Sequence, residues 1–420
     1  MQATRFNSGR GLCARRPGRG VLGLCAILLA ASVGCNSGGP GPQLRDDPGP
    51  AASSGSSAMV GSLDEARLEQ LGFRSLWKTP TGGAIVQSYI SGGNLYLVRP
   101  GADHPYILEK LDGVTGLTLW TYALQGTLDS APTAYSYPAE LQGVKSPELF
   151  FVIDDELVGL DDANGSKNFS VRLSFPASTA PVADLEHVFL GSLNRRFYAI
   201  DKESRLESWS YITEDSITAA PAVGDANVYF ASEDHTVYGV TRGGGYVPGR
   251  SWRYETNSMI TASPVLYGDR IFVSSHDYKV YCLEDTGPEA YTRWSYPCGA
   301  PVVTAPFPFG DSVFVVTRAM GDGGASWSLH AINCIYGRLQ WEAPGVSEVL
   351  AADGVHVYAR SNEGVQAYRI DNGQLDWTLD LGGYDQVLGQ DAEQGRNTAW
   401  WGRMFLIDDS GVVEAIVPNR

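Results

Sequence analysis

The stretch Ala199-Ile200-Asp201-Lys202-Glu203-Ser204-Arg205-Leu206-Glu207-Ser208-Trp209 is one of five near-copies in this chain. The others are KLDGVTGLTLW (110–120), GLDDANGSKNF (159–169), AINCIYGRLQW (331–341) and AYRIDNGQLDW (367–377). A small residue opens four of the five, and Lys110 departs from that rule. Asp or Asn stands eight before the aromatic in four copies, and Gly stands four before it in four. The closing aromatics belong to a longer series: Trp77, Trp120, Phe169, Trp209, Trp252, Trp294, Trp341 and Trp377, at spacings of 43, 49, 40, 43, 42, 47 and 36 residues. Self-similarity at such a period marks an array of one supersecondary unit.

Residues 220–239 show what the unit is. An Ala-Pro step leads to the turn Gly224–Asn227, the apolar run Val228–Ala231, the turn Ser232–His235 and the run Thr236–Gly239. Short β-branched and aromatic runs between Asp/Asn/Gly/Ser clusters read as antiparallel strands with tight turns. After residue 75 no useful helical period appears. The unit is therefore about four short strands, a propeller blade, and the fold class is all-β. The Asp and Gly of each copy fall in the hairpin before the last strand, where Asp accepts local N–H groups and Gly supplies a positive φ. Each aromatic lies on the outermost strand, placed to pack between blades and donate its indole N–H to a neighbour's backbone.

Seven intervals separate Trp77 from Trp377, and the tail adds strand candidates at Asp385–Gly389, Ala399–Leu406 and Val412–Val417. That tail lacks a tryptophan strand, whereas Phe73–Lys78 is a tryptophan strand with no blade before it. Pairing the two gives an eight-bladed ring over 73–417 with no free sheet edge.

The pattern Ala-x-Asp-x-x-x-Gly-x-x-x-Trp resembles the tryptophan-docking motif of the pyrroloquinoline-quinone-type propeller repeat, over roughly residues 75–417. The enzymes of that family are quinone-dependent alcohol and sugar dehydrogenases. Those with this blade number carry an adjacent Cys-Cys pair over the cofactor, a calcium site and long loops. This chain has no Cys-Cys dipeptide, and its blades are short.

The first 34 residues hold five arginines and no acid, and the apolar run Val21–Val33 leads to Gly34-Cys35. Thirteen apolar residues suit a signal-peptide core better than a membrane span. Ser32-Val33-Gly34-Cys35 resembles a bacterial lipobox, with Ser32 where that family prefers Leu, and marks Cys35 as the lipidation site after removal of 1–34. Residues 35–62 form a tether rich in Gly, Pro and Ser that cannot bury a core and reaches about 30 Å as a coil. Ser62-Leu63-Asp64-Glu65 reads as a capping box opening a short helix within 63–72.

The chain has 31 basic residues, five of them in the first 34, against 47 acidic ones. No basic footprint for nucleic acid exists. Cys282, Cys298 and Cys334 remain after the signal and Cys35, with at most one disulfide among them and no C-x-x-C. Cys282 occupies the small-residue position of its blade. His235 and His276 stand beside Asp234 and Asp277, in a slot filled elsewhere by Asp154, Asn194 and Asn362, which reads as a hairpin turn rather than a catalytic pair. Asp161–Gly165 has the look of a calcium loop, but its register fails. No hydrolase, zinc-protease or P-loop motif occurs, so no catalytic, metal or cofactor residue is assigned.

With its anchor and eight blades, the chain is similar to the propeller lipoproteins of the outer-membrane β-barrel assembly machinery. That resemblance implies a non-enzymatic scaffold, anchored in the outer membrane, facing the periplasm and contacting other envelope proteins. A quinone-dependent oxidoreductase and a ligand-binding or sensor propeller using the central funnel are the alternatives.

Overall fold

The computed structural model describes residues 65–242, 251–321, 324–389 and 402–419. The signal segment, Cys35, the tether, residues 62–64 and the start of the 399–406 strand lie outside the described residues. Among those described, the one helix is Glu65–Gln70 and everything else regular is strand.

The strands form eight antiparallel sheets of four. Blades 1 to 7 occupy 87–124, 133–172, 182–212, 222–255, 265–297, 307–344 and 346–379, each with its strands paired in chain order from the channel outward. Blade 8 takes three strands from the tail, Tyr384–Gly389, Met404–Asp408 and Val412–Pro418, and its outer strand is Phe73–Pro80 from the other end of the domain. The closing pair runs from Phe73 opposite Pro418 to Pro80 opposite Val412. The ring is therefore eight-bladed and closed, as the orphan tryptophan strand at residue 77 implied. Closure removes the exposed edges that an open array of sheets would carry.

The aromatic series has one structural rule. Each aromatic stands opposite the first residue of its sequence copy: Lys110 and Trp120, Gly159 and Phe169, Ala199 and Trp209, Ala331 and Trp341, Ala367 and Trp377. Gly239 and Trp252 obey it, and so do Cys282 and Trp294. A small partner leaves room for the indole to lie across the ladder: a Cβ at Gly239 would come within 2.3 Å of Trp252. In every blade but that of Trp252 the ladder slips register beside this pair. A bulge of one residue turns the aromatic toward the next blade.

There it meets the glycine of the neighbouring outer hairpin. A Cβ at Gly116, Gly165, Gly337 or Gly373 would lie 2.4 to 2.8 Å from Trp77, Trp120, Trp294 or Trp341. These glycines also have φ between +64° and +74°, so they answer two demands at once. In the copy that follows Phe169, Arg205 takes the glycine's place at φ +60°, and its guanidinium donates to the Asn168 carbonyl beside that ring.

Indole N–H groups of Trp120, Trp294 and Trp341 donate to the backbone carbonyls of Asp162, Cys334 and Ile370 in the following blade. Trp252 differs, donating to the Asp285 carboxylate at 3.0 Å. Six of the eight aromatics are buried, but Trp77 and Trp377, which flank the closing blade, are half-buried. Blade 8 has no outer hairpin of its own, so Phe73 packs edge-on against Trp377 instead, at 5.3 Å and 88°.

Candidate functional site

The inner strands of all eight blades surround a central cavity of about 540 Å³. Its wall is built by a second repeat. An Ala-Pro or Ser-Pro step enters the inner strand of blades 2 to 6, at 131–132, 180–181, 220–221, 263–264 and 305–306. Inner strands have one edge facing the channel with no partner, and proline removes a donor that would otherwise be stranded there. The same steps keep those strands to two or three residues. In blade 7 the inner strand Val346–Ala352 is seven residues long and interrupted by two register shifts.

That longer strand brings Glu348 into the wall, the one charged residue among the described residues that line the cavity. Around it are Tyr89, Phe307, Leu350 and the Ala-Pro ring. Glu348 is reachable by solvent through the channel, yet the neighbouring blades crowd it. Burial raises its carboxyl above the usual range, and Arg360, opposite it on the next strand, works against that rise without forming an ion pair. Burial also pushes the Tyr89 hydroxyl up to about 12. Both shifts come from crowding by neighbouring blades, although Glu348 itself is exposed to the channel. The sequence reading noted only the Ala-Pro step at 220–221 and missed the repeat and Glu348.

Elsewhere the titratable groups are committed to structure. Asp234 accepts from the backbone N–H groups of Glu214 and Thr236 and from the Tyr238 hydroxyl. Asp277 does the same for Asn257, Lys279 and Tyr281, while His276 contacts Thr261. Neither His–Asp neighbour pair forms a catalytic contact. Cys282, Cys298 and Cys334 are buried and free, and burial pushes each thiol up to about 12. Asp162, in the loop that looked like a calcium site, is instead buried against Lys110 at 2.7 Å, with the Tyr96 hydroxyl 2.9 Å away. Lys110 thus departs from the small-residue rule to make an inter-blade ion pair. Among the described residues no group of three or more His, Cys, Asp or Glu is placed to hold a metal ion. Cys35 lies outside the described residues.

Eight four-stranded blades, a strand exchanged between the ends and an aromatic docked on each neighbour define a propeller of the pyrroloquinoline-quinone-type repeat. The family model described as outer membrane protein assembly factor BamB matches residues 138–290 and 249–399, well over half of the chain, and the chain belongs to that family. Among solved structures, BamB from Moraxella catarrhalis is similar with a TM-score of 0.59 and 14% identity, over 82% of this chain and 97% of that one. Quinohemoprotein alcohol dehydrogenase from Comamonas testosteroni is similar with a TM-score of 0.58 and 11% identity, over 85% and 78%. The computationally designed Ika8 protein matches at 0.56 and 14%, over 81% and 98%. At these identities the likeness is one of fold. No curated protein matches the chain by sequence.

Proposed function

We propose that this chain is a non-enzymatic interaction scaffold of the cell envelope that serves outer-membrane protein assembly, held at the membrane by a lipid on Cys35 and facing the periplasm. Membership of the assembly-factor family is the observation that carries this reading. Its acidity, with 47 acidic against 31 basic residues, suits a body standing off anionic lipid rather than lying on it.

The dehydrogenase neighbours favour a second reading, a quinone oxidoreductase, on fold alone. The cavity argues against it. Pyrroloquinoline quinone carries three carboxylates, whereas the described lining offers no Lys or Arg and adds the carboxylate of Glu348. Like charges repel and no cation of the described lining offsets them, so these residues do not fit that group.

Loss of the chain from its host should lower the amount of folded β-barrel protein in isolated outer membranes, and unchanged amounts would count against the scaffold role. Cys35→Ala should move the protein from the membrane fraction to the soluble one, because stable anchoring requires the acyl chains.

A further inference from the structure

The central cavity has a chemical preference. Its wall is Ala, Pro, Val, Leu and aromatic side chain around one carboxylate, and all eight blades contribute to it. At about 540 Å³ it falls in the size range of small-ligand pockets, roughly 300–1,000 Å³.

Glu348 makes no ion pair or hydrogen bond among the described residues. Exposed to the channel and opposite Arg360 on the next strand, Glu348 is the one point of negative charge in an otherwise apolar lining, and a cation entering the cavity would meet it there. Tyr89 and Phe307, on blades 1 and 6, are aromatic members of the same wall, and aromatic rings attract cations. The described lining holds no Lys or Arg, and Arg360, opposite Glu348 on the next strand, forms no ion pair with it.

We propose that the central cavity binds a small organic cation, an apolar body bearing one ammonium group, with Glu348 pairing the ammonium. The site is independent of the scaffold role: it concerns the channel interior, and either can fail alone.

The test is calorimetric titration of the purified protein with 4-phenylbutylamine, 4-phenylbutanol and 4-phenylbutyrate, which share one apolar body. The amine should bind about tenfold or more tightly than the alcohol, as a charge-assisted contact allows, and the acid should not bind. Glu348→Gln should bring the amine down to the affinity of the alcohol, with the melting temperature showing that the ring stays folded. Ala220→Trp, which adds an indole at the wall of blade 4, should weaken binding of both. Equal binding of amine and alcohol, no binding of the amine, or an amine preference that survives Glu348→Gln would overturn the proposal.

Discussion

Trp77 stands opposite Ala415 in the ladder that closes the ring, the same aromatic-to-small pairing that each other blade makes within itself, Lys110 excepted. The pairing rule thus holds across the joint between the two ends of the domain. Trp77 also donates to the Gly113 carbonyl of blade 1 at 3.3 Å, and Arg403 of blade 8 donates to the same oxygen at 2.8 Å. The joint is therefore tied to the next blade as well as to its own.

Removing residues through Lys78 should open the ring, and the exposed edge of Val412–Pro418 should drive aggregation. Trp77→Ala should cost about 2–4 kcal/mol, toward the lower end for a large aromatic because the indole is only half-buried. Urea unfolding checks the second outcome, and light scattering the first. A soluble, monomeric deletion variant would contradict the closure.

Lys110→Ala should destabilise by about 3–5 kcal/mol, since it strands the buried Asp162 carboxylate. Burial already raises that carboxyl, and the Lys110 ammonium beside it is what holds it back. Combining Lys110→Ala with Asp162→Asn should recover much of the loss. A double-mutant cycle in urea reads the coupling, and additive losses would show that the two residues act separately.

Phe169→Trp should destabilise by about 1–3 kcal/mol although it restores the repeat's own residue, because Arg205 stands where the other copies have the glycine that an indole needs, a Cβ there lying within 2.8 Å of the ring. Adding Arg205→Gly should restore stability. If Phe169→Trp alone is neutral, the two positions are not matched in the way the fold implies.

The aromatic period and the turn residues were enough to read the blade, the count and the closure, because each blade repeats the same local chemistry. Cys282 was placed at its small-residue position by comparison with Ala199 and Ala331, and it does face Trp294. Other features escaped for physical reasons. The bulge beside every aromatic but Trp252 leaves no fixed residue type behind it. The second role of Gly373, contact with Trp341, joins residues of two different blades and cannot be read from either copy alone. Lys110 departs from the small-residue rule because of Asp162 in the next blade, a partner its own sequence copy does not show. Glu348 reaches the channel because its inner strand is longer and bulged, which only the assembled ring reveals.

The scaffold role is tested most directly by affinity capture of the full chain from crosslinked, detergent-solubilised membranes, read by mass spectrometry against an unrelated lipoprotein carrying the same tag. Components of the outer-membrane β-barrel assembly machinery should be enriched over that control. Capture no richer in those components than the control would contradict the role.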